Sequence, residues 1–181
     1  MEKYIVQIKN ALPVNLCDEV LAEYKNTNEW VNALVGNGGS NNVRNCDTIE
    51  ISQSFVIKDN TKRLDIDNKL FNCASKCIEK YNKKFFYAKI TEDTGYELLR
   101  YKTGGYYLEH TDSFILRPRL VSCSFALNDN YEGGEFAFFN KKLKYKLNKG
   151  DALMFPSTFT YPHQIMNVTK GVRYSIITWF R

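Results

Sequence analysis

Between Phe86 and Phe180 the sequence breaks into short runs of β-forming residues, each cut off by a turn signal. The runs are Phe86–Ile90, Tyr96–Tyr101, Tyr106–Glu109, Leu120–Leu127, Glu135–Phe139, Lys144–Leu147, Ala152–Phe155, Gln164–Asn167 and Val172–Phe180. Thr103-Gly104-Gly105, the stretch from Asn128 to Gly134, Asn148 to Asp151 and Lys170-Gly171 separate them. Many short strands at this spacing, separated by turn signals, predict a β-sandwich or double-sheet jelly roll.

The first 85 residues read differently, as helix-rich support. Tyr4–Ile8 has strand character. After Pro13, Leu16, Val20, Leu21 and Tyr24 fall on one helical face, with Asn15 as the expected N-cap. A second helix is predicted over Thr61–Lys84, where Leu64, Leu70, Phe71, Ala74, Ile78 and Tyr81 recur at helical intervals. The polar loop from Val35 to Asn42 reads as a connector or as a lid over a site. The fold class expected is mainly β with helical support (α+β). The expected form is a double-stranded β-helix flanked by N-terminal helices, with residues 1–85 as support and 86–181 as core of a single 181-residue domain.

Charge and cysteine usage narrow the function. A formal net charge of +5 is mild and its lysines are scattered, so a nucleic-acid partner is not expected. Glu2, Lys3 and Lys9 break up the first ten residues, so no signal peptide is expected, and no apolar run reaches the length of a membrane span. The five cysteines, Cys17, Cys46, Cys73, Cys77 and Cys123, are odd in number and lack framework spacing. They read as reduced thiols of a cytoplasmic protein.

The only two histidines carry the chemical signal. His110 opens the triplet His110-Thr111-Asp112, and residues two apart on a strand share a face. His163 follows a turn bracketed by Pro156 and Pro162. Two imidazoles and one carboxylate on one side of an iron leave positions open for other ligands, the donor set of non-haem Fe(II) oxygenases. A His-x-Asp triplet alone also arises by accident, as a surface histidine beside a turn aspartate. Arg173 shifts the balance: it opens the strongest β-run, and alternation puts Arg173, Ser175, Ile177 and Trp179 on one face. An arginine facing a sheet interior is costly unless it meets an anion, and its planar fork suits a carboxylate. Tyr101 ends the strand ahead of His110 and points to the same region. Arg117 and Arg119 read either as a solvated loop or as contacts to an acidic or extended substrate, and one of Tyr106 and Tyr107 faces inward.

Taken in order, "LLRYKTGGYYLEHTDSF", "SCSFALNDNYEGGEFAFF", "LNKGDALMFPS" and "HQIMNVTKGVRYSIITWF" resemble the 2-oxoglutarate/Fe(II)-dependent dioxygenase superfamily, in its prolyl 4-hydroxylase-like branch. The resemblance runs from about Tyr96 to Arg181. It implies Fe(II) on His110, Asp112 and His163, and Arg173 on the distal carboxylate of 2-oxoglutarate. It further implies Tyr101, Ser122, Ser124, Ser175 and Trp179 around that cosubstrate, O2 as oxidant and ascorbate as an accessory reductant. The implied activity is hydroxylation of a prolyl residue in a peptide or protein, with release of succinate and CO2. The same chemistry on a free amino acid or other small molecule is the alternative within the class. A non-catalytic jelly-roll binding module is the alternative outside it. Two departures stand out: the basic residue is Arg where many prolyl hydroxylases have Lys, and Ala126 stands where some relatives place a tyrosine. Oligomeric state is not legible.

Overall fold

The run Arg173–Phe180 becomes the spine of the molecule, buried along its whole length. The computed structural model describes residues 2–34, 42–52, 61–113 and 118–181. In chain order the strands are β1 (Val6–Ile8), β2 (Val31–Asn32), β3 (Arg44–Asn45), β4 (Asp47–Glu50), β5 (Glu97–Tyr101), β6 (Tyr106–His110) and β7 (Val121–Ala126). They continue as β8 (Glu132–Gly133), β9 (Phe136–Phe138), β10 (Leu143–Tyr145), β11 (Ala152–Pro156), β12 (His163–Ile165), β13 (Val168–Lys170) and β14 (Arg173–Phe180). The helices are α1 (Val14–Tyr24) and α2 (Thr61–Lys84).

A seven-stranded sheet runs β1-β11-β7-β14-β5-β4-β2, a five-stranded sheet runs β10-β9-β12-β6-β3, and β13 pairs with β8. The pairings are antiparallel, and the fold is the expected jelly roll with helical support. Alternation along β14 explains the layering. Tyr174, Ile176 and Phe180 point outward into a core shared with Leu16, Val20, Ile66, Leu70 and Ala74 of the helices. Ile177 and Trp179 point inward with Tyr101, Phe138, Phe155 and Ile165 between the two sheets. The site lies in this second, inner core.

Several expectations need correction. Helix α1 starts at Val14, with Pro13 at the N-cap, because the amides of Leu16 and Cys17 close on the Pro13 carbonyl. Asn15 therefore sits inside the first turn. In α2 the buried stripe is Ile66, Leu70, Ala74, Cys77, Ile78 and Tyr81, while Leu64 and Phe71 are exposed. Phe71 lies about 100° around the helix from Leu70 and so leaves the packed face. Phe86–Ile90 forms no strand: the Asn82 side chain donates to the Ile90 carbonyl (2.8 Å) and accepts from its amide (3.4 Å), taking up the groups a neighbouring strand would need. The first half is more than a helical cover. It gives β1, β2 and β4 to the larger sheet and β3 to the smaller one. The loop read as a lid falls, at 35–41, outside the described residues, as does Arg117.

Candidate metal and cosubstrate site

Strand pairing brings the two histidines together. His110 ends β6 and His163 opens β12, and they are register partners. Asp112 lies two residues beyond β6, where the amides of Asp112 and Ser113 both donate to the Ser157 carbonyl at 3.2 and 3.0 Å. His110 Nε2 lies 3.4 Å from Asp112 Oδ1, and His163 Nε2 lies 3.6 Å from Asp112 Oδ2. One donor atom from each of the three side chains fits within 4.8 Å of the others.

The orientation of each ring is set from behind. His110 Nδ1 sits 2.8 Å from the Leu108 carbonyl and His163 Nδ1 3.1 Å from that of Tyr161. A carbonyl only accepts, so each Nδ1 donates to it, and each Nε2 is the nitrogen that faces the carboxylate. The His110 ring is stacked on Tyr107, with centroids 3.4 Å apart. His163 is packed by Phe155 at 4.6 Å and Phe138 at 5.6 Å. Burial pushes the His163 imidazole down to about 4, Asp112 opposing the shift and His110 adding to it. It is therefore neutral near pH 7, the state a metal ligand needs. Burial works against the charge of Asp112, but His163, His110 and the Ser122 hydroxyl outweigh it and hold the carboxyl well below the usual carboxylate range. Two imidazoles, of which His163 is neutral, and an ionised carboxylate are a donor set that fits a divalent transition metal.

Arg173 marks the other end of the same cavity, whose volume is about 150 Å³. It is buried and its Nη1 donates to Ser175 Oγ at 2.8 Å. Its guanidinium lies 5.2 Å from the ring centres of both Tyr101, its register partner, and Phe136. Among the described residues no acid pairs with it. A buried guanidinium without an acidic partner is a group that an anionic ligand could neutralise. Burial pushes the Tyr101 phenol up, so it keeps its proton as a donor. Gly134 makes room for the arginine: its φ is +67°, and a Cβ there would stand 3.0 Å from Arg173 Cδ.

The structure brings Tyr101, Ser124, Ser175 and Trp179 to the cavity wall with Arg173, as the sequence suggested. Ser122 is placed differently: its hydroxyl donates to Asp112 Oδ2 at 2.6 Å and contacts Ser157 Oγ at 2.8 Å, behind the carboxylate. Register explains this, since Ser122 lies opposite Trp179 at the metal end of β7, whereas Ser124 lies opposite Ile177 nearer its middle. Sequence reasoning missed Glu97 and Arg44 at this cavity and left Arg119 open. Glu97 was within reach, because it alternates with Leu99 and Tyr101 along β5. Arg44 gave no local signal.

The fold and the site together are those of a jelly roll whose inner face carries a His-Asp-His cluster able to hold a metal ion and, in the same cavity, a buried arginine. Residues 96–181 match the sequence model of the 2OG-Fe(II) oxygenase superfamily. Over those residues the chain is similar to that superfamily, in its prolyl 4-hydroxylase-like branch. A PKHD-type hydroxylase of Colwellia psychrerythraea is 35% identical over 85 residues, covering 42% of this chain and 37% of that protein. Another, of Maricaulis maris, is 32% identical over 88 residues, covering 45% and 39%. The chain thus spans about two fifths of the length of the curated relatives it matches. In three dimensions it is similar to a prolyl hydroxylase of Trichoplax adhaerens, solved with a hypoxia inducible factor peptide fragment. That match has a TM-score of 0.80 and 20% identity over 98% of this chain and 83% of the other. A prolyl-4-hydroxylase of Pseudomonas putida gives a TM-score of 0.73 at 20% identity, covering 98% and 92%.

Proposed function

We propose that this chain, as one oxygenase domain over residues 1–181, hydroxylates a prolyl residue of a peptide or protein in a reaction dependent on Fe(II) and 2-oxoglutarate. The observation that carries the reading is the joint placement of the His110–Asp112–His163 donor set and the unneutralised Arg173 in one cavity. Fe(II) with 2-oxoglutarate and O2, when bound, would supply the oxidising power for C–H hydroxylation, with succinate and CO2 as co-products, and ascorbate would serve only to keep the metal reduced.

The protein's own work is positioning and exclusion of water. His110 and His163 offer Nε2, Asp112 offers its carboxylate, and Ser122 fixes that carboxylate's orientation. Arg173, Ser175 and Tyr101 would receive the distal carboxylate of the cosubstrate, with Ser124 and Trp179 along its flank. Phe136, Phe155 and Ile177 form the apolar part of the same wall. The hydroxylase reading draws support from the PKHD-type relatives, and the peptide preference from the peptide-bound neighbour. The five cysteines are all free, which fits a reducing, cytoplasmic setting, and among the described residues no helix is long and apolar enough to cross a membrane.

An anaerobic titration with Fe(II) and 2-oxoglutarate tests the site through the weak visible charge-transfer band of the chelate. Mass spectrometry of proline-containing peptides after aeration tests the reaction. Absence of both the band and cosubstrate decarboxylation would return the chain to a non-catalytic binding module. Turnover of small molecules alone would replace the peptide assignment.

A further inference from the structure

Glu97 is an acid that the proposed chemistry does not use. It lies on the inner face of β5, opposite Glu50 in the register of β4, so two carboxylates leave the sheet on the same side. Glu97 and Trp179 line the metal cavity, and both also line an adjoining cavity of about 160 Å³ bounded by Glu50, Ser52 and Thr94. They form the wall the two spaces share.

Among the described residues neither a hydrogen bond nor an ion pair reaches Glu97. Burial pushes its carboxyl up; Arg44 and Arg119 oppose the rise, while Glu50 and Asp112 add to it. Neither arginine closes on it. Arg44 Nε donates to Cys46 Sγ at 3.1 Å with its guanidinium 4.7 Å from the Tyr107 ring centre, and Arg119 lies 3.4 Å over the Trp179 ring. On the same wall, Trp179 Nε1 is a buried donor without a partner among the described residues. A half-buried acid without a hydrogen-bond partner among the described residues, beside a buried, unpartnered N–H, makes a pair of groups that one ligand can satisfy together.

We propose that Glu97 is a specificity-determining residue that seats the cationic end of a lysine or arginine flanking the oxidised residue, while Trp179 Nε1 donates to a carbonyl of the same peptide. The inference rests on the peptide reading above. Long-range attraction does not account for such a preference: the chain's formal net charge is +5, so its overall field opposes a basic peptide. Any preference for one is local.

The test is fluorescence anisotropy of the full chain with labelled short peptides holding one proline, flanked on either side by Lys, Ala or Glu. The Lys peptide should bind at least about tenfold more tightly than the Glu peptide. Glu97→Gln should erase most of that difference and Glu97→Lys should reverse it. Equal binding of all three peptides, binding of none, or a Lys preference that survives Glu97→Gln overturns the proposal. Mass spectrometry of the same peptides separates the two readings. A Glu97-dependent Lys preference without hydroxylated proline sinks the prolyl assignment and leaves Glu97 in place. Hydroxylation indifferent to the flanking charge does the reverse.

Discussion

His110 and His163 are register partners across β6 and β12, with ring centroids 4.3 Å apart. Their separation is therefore fixed by a backbone ladder rather than by a loop. Asp112 has no such ladder. Its place depends on two amides closing on the Ser157 carbonyl and on the hydroxyl of Ser122. The carboxylate is the member of the donor set whose geometry side chains decide.

Ser122→Ala should expose that dependence. It removes the 2.6 Å hydrogen bond to Asp112 Oδ2 and leaves the backbone of β7 intact. Loss of an outer hydrogen bond to a metal ligand lowers metal affinity by roughly 10–100-fold. Calorimetric titration with Mn(II), which needs no turnover, reads this directly. Affinity equal to that of the unmodified chain would remove the orienting role from Ser122.

Arg173→Leu separates binding from stability. Among the described residues the buried guanidinium meets Ser175 Oγ and two aromatic faces but no acid, so without cosubstrate its charge is uncompensated there. Replacing such a charge with an apolar side chain is often neutral or stabilising by about 1–4 kcal/mol. The cosubstrate should suffer instead: losing a buried charge partner costs about 2–5 kcal/mol of binding. Thermal denaturation of the ligand-free protein should show an equal or higher Tm, while the Kd for 2-oxoglutarate rises by more than about tenfold. A large fall in Tm with unchanged cosubstrate affinity would make Arg173 a structural residue.

Gly134→Ala should damage the same end of the cavity through the backbone. Its φ of +67° is strained for a side chain, and the added Cβ would press on Arg173 Cδ at 3.0 Å and on Val168 Cγ2 at 3.1 Å. Strain of this kind costs about 1–3 kcal/mol. Urea denaturation should show that loss, accompanied by weaker 2-oxoglutarate binding. Stability lost with cosubstrate affinity retained would show that the arginine tolerates the push.

The second half of the chain was legible because its signals are local. Alternation along Arg173–Phe180 sorted inner from outer face residue by residue, and the turns set most strand ends to within a residue or two, although the reading put a strand at Phe86–Ile90 that does not form and missed the short pair Glu132–Gly133 and Val168–Lys170. The metal donors were legible because histidine is so scarce here. What escaped the reading was set by pairing across long separations. Val31–Asn32, Arg44–Asn45 and Asp47–Glu50 are too short to carry a periodic signal, and they become strands only because β5 and β6 offer them edges. Arg44 reaches the cavity by that route. Ser122 and Ser124 share an inner face in sequence, yet only register shows that one backs the metal carboxylate while the other meets the cavity.

Glu97→Gln should stabilise the ligand-free protein in a pH-dependent way. The Glu97 carboxyl is raised above its ordinary value of 4.5, chiefly by burial, so the folded state binds its proton more tightly than the unfolded chain does. Below pH 4.5 the group is neutral in both states and carries no penalty. As pH rises past that value the unfolded chain ionises first, and the folded state loses stability until the half-buried carboxyl ionises too. Glutamine never ionises, so the variant escapes this loss. Chemical denaturation from pH 4 to pH 8 should find the two proteins alike at the acid end and the variant more stable at the neutral end. A gain that is constant across the range would mean that shape, not charge, sets the cost of Glu97.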